Sequence, residues 1–468
     1  MRNVTVLLLT LAAMCAGCSM FPRQTAGIQG LVPSVASPLG AGARKRIKHV
    51  IVIIQENRSF ENFFAGYPGA DAPMYGCGAP EATERGDKVA STSSECPSGD
   101  RRIKLHQVTF QKEPDLAHYF ESALIDWHDG KMDGFTHWGR YYGPHHDIAA
   151  YAYVQRSQVA PYWAIAQQYV LADQMFPTEF GPSWTAHLTL VAGTDNLSDK
   201  LALADFADGE DSCIAPAGTK TTTVDAKRVI RRAVGPYPCL DQFNTIAQVL
   251  DTAGVSWKYY VAKKLKAFIW SPFAGIKYVY GGRDWDDNII VPQTQFLQDV
   301  AQGTLASVSY VTPSKKDSDH PGARSDTGPS WVTSVVNAIG GSQYWNSSAI
   351  IVLWDDWGGF YDNAPPPQLD FRGLGIRVPC LIISPYAKEG VVIHTRYEFG
   401  SVLRFIRDVF GLPPLGPSSK GYTDSRANGL SDSFDFTKPP RHFEPIPSKY
   451  PTKHFLHEAP SDEPVDEE

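Results

Sequence analysis

None of the five cysteines after Cys18 pair at CxxC spacing, so a thiolate zinc site is not expected. Nor does a second long apolar run follow the N-terminal one, so the body of the chain offers no membrane-spanning segment. Positive charge is not in excess: 43 Lys and Arg stand against 50 Asp and Glu, for a net charge of −7. Six of those acids, Glu458, Asp462, Glu463, Asp466, Glu467 and Glu468, crowd the C-terminal end, and the body without them is nearly neutral. A basic field for nucleic acid is thereby excluded. No internal repeat is visible.

What is present describes an exported globular protein. Hydrophobic residues make up 43% of the chain, enough for a large core. Arg2 is followed by the apolar run from Val4 to Met14 and then by Cys15-Ala-Gly-Cys18, which reads as an export signal over residues 1–18. Its end resembles a bacterial lipoprotein signal with Cys18 as the lipid-bearing residue. Cys15 stands where Leu is usual, and ordinary signal cleavage is the alternative. Localisation is therefore expected in the periplasm or cell envelope, with secretion as the other outcome. Residues 19–46, rich in Pro, Ser, Gly and Ala, read as a linker. Export permits disulfides. Cys77 with Cys96 and Cys213 with Cys239 would each close a short loop in a polar insertion, while Cys380 lies in an apolar run and reads as a buried free thiol. Beyond residue 412 the chain becomes a Pro-rich, polar extension, 413–468, with an acidic tail.

Between these ends the pattern is α/β. His49-Val-Ile-Val-Ile-Ile54 is a β-branched run of the kind buried on both faces of an α/β sheet. Glu56 and Asn57 follow it directly. Open α/β sheets bind ligands at the carboxyl ends of their strands, so these two are candidate oxygen ligands for a metal, or else polar caps on a strand end. Ser348 to Trp354 is a second buried run, followed by Asp355 and Asp356. Two adjacent carboxylates repel, and a divalent cation offsets that most simply, the alternative being a pair of capping or solvated acids. Further strands are expected at Tyr169–Ala172, Trp257–Val261, Leu305–Val311 and Val378–Ser384. Helices are expected at Val159–Val170, Phe243–Ala253, Trp331–Ile339 and Phe399–Val409. Asp317, Asp319 and His320 again lie downstream of a strand. Gly181-Pro182 breaks the chain and puts Ser183 at the N-cap of a helix running to about Ala192. A hydroxyl there is either a cap or a nucleophile whose target phosphate rests on the helix end. Asp115, His118 and Ser122 have helical spacing, which would set Asp115 and His118 on one face.

Four stretches, HVIVIIQENRSFENFF, TEFGPSWTAHLTLVAG, VLWDDWGGFYDNAPPP and RVPCLIISPYAKEGVVIHTRYEFGSVLRFI, together resemble the bacterial phosphoesterase family of acid phosphatases and non-specific phospholipases C. The shorter DLAH, GKMDGF and DSDHP support it, and together they span residue 48 to about 410, inside a catalytic domain expected over 47–412. The resemblance implies an α/β/α sandwich with loop insertions, of the alkaline phosphatase and sulfatase type. It implies one divalent metal ion held by Glu56, Asn57, Asp355 and Asp356, with the nucleophile Ser183 touching it. Oxygen ligands favour calcium or magnesium; related folds also use zinc or iron. His118 and His320 would bind the phosphate or protonate the leaving group. His187 falls in the nucleophile motif, at a substrate-binding position where some phospholipase members carry Arg. His394 matches without an assigned role. Asp356 stands where Glu is common, and Asn363 where many members have His.

The implied reaction is hydrolysis of a phosphate mono- or diester, a phospholipid among the candidates, through a phosphoseryl intermediate. Contact with the membrane is expected only through a lipid on Cys18. Gly181-Pro-Ser183-Trp-Thr185 lacks the second glycine of a nucleophile elbow, which disfavours a serine carboxylesterase. Ser183 is not in a CxPxR-like setting, which disfavours a sulfatase. The remaining alternative is a surface binding protein that keeps the fold without turnover.

Overall fold

A computed structural model describes residues 41–79, 96, 100–137, 148–205, 212–265 and 268–461. The export segment with Cys18, the linker up to residue 40, the bulk of the first insertion and the tail from 462 lie outside the described residues.

The architecture is a central mixed sheet of nine strands with helices on both faces. In chain order the strands are β1 His49–Gln55, β2 Val170–Phe176, β3 Trp257–Tyr260, β4 Ile289–Ile290, β5 Val308–Val311, β6 Ser348–Trp354, β7 Val378–Ile383, β8 Val391–Ile393 and β9 Tyr397–Glu398. Across the sheet the order is β4-β3-β5-β1-β6-β7-β2-β8, with β9 also on β2. Only β7 runs against the others: it pairs antiparallel with both β6 and β2, and every other pairing is parallel. The carboxyl ends of β1, β2, β5 and β6 therefore share one edge. Strands β1 and β6 are in register from His49 opposite Ser348 to Gln55 opposite Trp354. Val50 to Ile54 are fully buried, as a strand covered on both faces requires. Each such side chain contributes about 1.5–3 kcal/mol.

The helices that matter here are α1 Ala41–Arg46, α2 Phe120–Trp127, α3 Ala160–Gln168, α4 Ser183–Ala192, α5 Ile246–Thr252, α6 Gln295–Gln302, α7 Gly328–Gly340, α8 Phe399–Phe410 and α9 Thr452–Leu456. α4 packs with α5 and α8; α7 packs with α3, α6 and α9. Neighbouring residues on one strand show that these groups lie on opposite faces. Tyr259 sets its hydroxyl 3.5 Å from His187 of α4, while Tyr260 donates to Asp299 of α6 at 2.7 Å. α4 is buried along its whole length. That explains why it reads TAHLTLVA with little amphipathic contrast.

Several elements depart from the sequence reading. Asp115 and His118 do not share a helix face: α2 starts only at Phe120. Pro114 disfavours helical geometry just before this stretch, and Glu113 is drawn into a buried ion pair with Arg58. Ser183 is the first residue of α4 rather than its cap, which is Pro182. The end of the presumed linker forms α1, with Ala43 buried and Arg44 donating to the carbonyl of Asp408 at 2.9 Å. The segment after 412 packs into the core through Phe434, Phe443, Ile446 and Phe455, although its composition reads as surface. Cys77 is bonded to Cys96 and Cys213 to Cys239, and Cys380 is a buried free thiol.

Phe455 is fully buried, with its ring 5.5 Å from that of Trp331 in an edge-to-face contact. Phe455→Ala is expected to lower the unfolding free energy by about 3–5 kcal/mol, read from urea denaturation. An unchanged midpoint would show that the C-terminal segment is not part of the core.

Candidate active site

The parallel register of β1 and β6 continues past the strands. The Asp355 amide donates to the Gln55 carbonyl at 3.0 Å, and the Arg58 amide donates to the Asp356 carbonyl at 2.8 Å. Glu56-Asn57 and Asp355-Asp356 are thereby laid side by side, all fully buried. Asn57 has a left-handed backbone, φ 59°. Its amide donates to Asp355 Oδ1 at 2.9 Å. Its side-chain Nδ2 lies 3.2 Å from both Ser183 Oγ and Asp356 Oδ2, and the serine hydroxyl donates to the same Asp356 oxygen at 3.2 Å. Asn57, Ser183 and Asp356 thus form a closed triangle at the start of α4, where backbone N–H groups and the helix dipole favour an anion.

The second half of the site holds His187, one turn along α4. Its Nε2 lies 3.0 Å from Glu56 Oε1 and 3.8 Å from Asp355 Oδ2. One donor atom from each of these three residues falls within a sphere of mutual distances below 4.8 Å. Burial pushes the His187 pKa down to about 4, so the ring is neutral at ordinary pH. The Tyr259 hydroxyl donates to the Trp270 carbonyl at 2.7 Å and lies 3.5 Å from His187 Nδ1. Glu56 Oε1 can only accept, so the 3.0 Å contact puts the imidazole proton on Nε2; in the other tautomer, with the proton on Nδ1 toward the Tyr259 oxygen, Nε2 would offer its lone pair to a cation. Asp355 Oδ2 and Asn57 Oδ1 are buried and accept no hydrogen bond. Lone pairs thus converge where no water reaches, and a divalent cation fits that donor set. The sequence reading put His187 with the substrate; the structure sets it between two carboxylates.

His118 and His320 come from opposite sides of the same region, with ring centroids 5.9 Å apart. His118 Nδ1 donates to the Leu116 carbonyl at 2.6 Å, whereas His320 Nδ1 accepts from the Gly322 amide at 3.0 Å. In their neutral forms the two rings are opposite tautomers: Nε2 of His118 carries a lone pair and Nε2 of His320 carries the proton. The His118 ring also meets Trp357 edge-on, and the Trp357 indole donates to buried Asp126 at 3.0 Å. Gly358 and Gly359, both left-handed, allow this packing. A Cβ on Gly358 would lie 2.1 Å from the Asn57 carbonyl oxygen, and one on Gly359 2.6 Å from Leu116 Cβ.

Three supports escaped the sequence reading. Arg58 is fully buried among Phe63, Phe110 and Phe360. It pairs with Glu113 and donates through Nε to the Asp319 carbonyl at 2.7 Å, which fixes the left-handed residue before His320 (φ 71°). Its only signal was position, directly after Glu56-Asn57. Below the nucleophile turn, Arg372 pairs with Asp195 and with Asp370. Glu179, four residues before Ser183, has its pKa pushed well up by burial and by the neighbouring Asp195 carboxylate. Finally, Asn363 and His394 sit outside this centre. Asn363 accepts from Arg377 at 2.8 Å, and His394 lies 2.9 Å from Asp173 with its ring largely exposed.

The Phosphoesterase family model matches residues 47–413, and the chain belongs to that family of phosphoric ester hydrolases. It is similar to phospholipase C A of Mycobacterium tuberculosis, 26% identical over 443 residues that cover 85% of this chain and 79% of the relative. It is also similar to the non-hemolytic phospholipase C of Pseudomonas aeruginosa, 24% identical over 448 residues covering 87% of this chain and 59% of that one. A solved structure of an alkaline phosphatase superfamily protein from Vibrio parahaemolyticus covers 60% of this chain and 64% of its own, at 14% identity and a TM-score of 0.35.

Removing one partner of a buried ion pair leaves the other charge stranded. Arg58→Met is therefore expected to destabilise the protein by about 3–5 kcal/mol, and Arg58→Met with Glu113→Leu to recover part of that loss. A double-mutant cycle in urea reads the coupling; strictly additive losses would show that the pair does not act as a unit.

Proposed function

We propose that the chain is a divalent-metal-dependent hydrolase of phosphate esters in which Ser183 is the nucleophile and is transiently phosphorylated. The observation that carries this reading is the placement of Ser183 Oγ. It lies at the first turn of α4, bonded to Asn57 and Asp356 at 3.2 Å each, beside the Glu56, His187 and Asp355 cluster. Glu56, His187 and Asp355 would hold the cation, with Asn57 and Asp356 at its Ser183 side. When bound, the cation supplies positive charge that favours the serine alkoxide and offsets charge on the phosphoryl oxygens.

The rest follows from the chain's own groups. Asp356 Oδ2 holds the hydroxyl proton of Ser183 and orients the oxygen lone pair away from itself. The free amides at the start of α4 face the developing charge on the phosphoryl group. The Oγ–P bond forms as the bond from phosphorus to the departing oxygen breaks. His320, with its proton on Nε2, is placed to protonate that departing oxygen. His118, with a lone pair on Nε2, is placed to accept a proton from the water that later cleaves the phosphoserine. Asn57 holds Oγ in place through both steps. The arrangement gives no role to a carboxylesterase triad.

The names of the relatives favour a phosphodiester of the phospholipid type as substrate, with a phosphomonoester as the other reading. The N-terminal segment supports export, with Cys18 as the residue that would carry a lipid.

Turnover of p-nitrophenyl phosphorylcholine and p-nitrophenyl phosphate, with and without chelator, tests this. Diester turnover that chelation removes is expected, and Ser183→Ala should lower kcat/KM by on the order of 10³ or more without unfolding the chain. Ser183→Ala with unchanged turnover would overturn the assignment, and monoester turnover alone would move the substrate to a phosphatase class.

A further inference from the structure

Residues 227–234 read KRVIRRAV, with four cations, Lys227, Arg228, Arg231 and Arg232, within six positions of a chain whose net charge is −7. They form the turn and edge of a separate four-stranded sheet, where Ile230–Arg231 pairs antiparallel with Thr222–Asp225. The turn is built rather than loose. Asp225 Oδ1 accepts from the amides of Lys227 at 2.8 Å and Val229 at 3.1 Å, and Arg228 takes the left-handed conformation at φ 61°. Arg228 folds inward. Its guanidinium lies 4.9 Å from the Trp127 ring of α2 and 5.4 Å from the Phe180 ring, and its Nε donates to the Phe371 carbonyl at 2.9 Å. The turn is thereby pinned between α2, which begins two residues after His118, and the segment that leads to Ser183.

The remaining side chains point outward. Val229 is 46% exposed and Val234 55%. Between them the Arg231 and Arg232 side chains are 58% and 69% exposed. On α2, Ile125 is 42% exposed, and Glu121, one turn before it, is 3.7 Å from Arg232. Cations on an edge strand alone would serve to discourage strand pairing. Exposed valines on either side of them do not serve that purpose, and aliphatics interleaved with Arg suit an interface whose surface is anionic and whose interior is apolar.

We propose that Val229, Arg231, Arg232 and Val234, with Ile125 of α2, form a docking surface for a phospholipid bilayer bearing anionic headgroups. The choice of a lipid occupant rests on the phosphoester reading above, with the charge of the patch as its independent support. The arginines meet the headgroup phosphates, and the valines and Ile125 enter the headgroup boundary.

The test uses the chain from Ser19 onward, so that neither the apolar export segment nor an acyl anchor contributes. It is sedimented with vesicles of phosphatidylcholine alone and of phosphatidylcholine mixed with phosphatidylglycerol. The expected result is binding to the mixed vesicles that weakens with added salt and falls by on the order of tenfold or more in R231E/R232E. V229D/V234D, a separate variant, should lose binding to both vesicle types. Both variants should keep wild-type turnover of a soluble p-nitrophenyl ester and wild-type melting. Absence of wild-type binding to the mixed vesicles, or binding by both variants equal to wild type, would overturn the proposal. Vesicle binding by a protein that turns over no phosphate ester would sink the catalytic reading and leave the docking surface standing.

Discussion

Buried carboxylates set side by side repel one another, and in this protein Glu56, Asp355 and Asp356 are all fully enclosed within a few ångströms. The arrangement is forced by backbone geometry. Two parallel strands in register, each ending in an acidic dipeptide or its amide equivalent, leave those side chains nowhere else to go. Taking such charges out of water costs several kcal/mol per ion, so a folded chain keeps them charged only beside a compensating positive charge and otherwise protonates them. A neutral His187 adds no positive charge to them. The clustering of these acids therefore follows from the same register that builds the sheet, a bound cation would offset their charge, and the placement of Ser183 follows from α4 docking its first turn against that centre.

The surroundings are arranged to hold this centre still. Arg58 is the clearest case: a guanidinium packed among three phenyl rings, paired with Glu113, and bonded to the backbone just before His320. It turns the left-handed conformation of Asp319 into a fixed one. Gly358 and Gly359 act by absence of bulk, letting the loop after β6 lie against both Asn57 and Leu116. Arg372, paired with Asp195, braces the turn before Ser183. Each support costs stability on its own, through strain or buried charge, and each is anchored by a partner that offsets the cost.

Much of this was readable in the sequence because the chemistry sits in contiguous runs. The buried strand Ser348–Trp354 is bounded as its apolar run suggests, and the acids after it stand out because nothing apolar dilutes them. Glu56, Asn57, Ser183, Asp355 and Asp356 are all brought together. Less legible was anything decided by a distant partner. His118 looked helical with Asp115 because spacing alone cannot see that Arg58 captures Glu113 across the fold. His187 looked like a substrate contact because its carboxylate neighbours lie on other strands. The segment after residue 412 looked like a tail because its Phe455 and Phe443 are isolated in a polar, Pro-rich context and find the core only in three dimensions.

The central claim is that buried negative charge at the ends of β1 and β6 is balanced by one divalent ion. Elemental analysis of the purified chain after dialysis, paired with the same measurement on Asp355→Asn, tests it without reference to turnover. The account predicts about one equivalent of a divalent metal in the native protein and a large loss in the variant. A native protein that folds, turns over phosphate esters and contains no metal would contradict it.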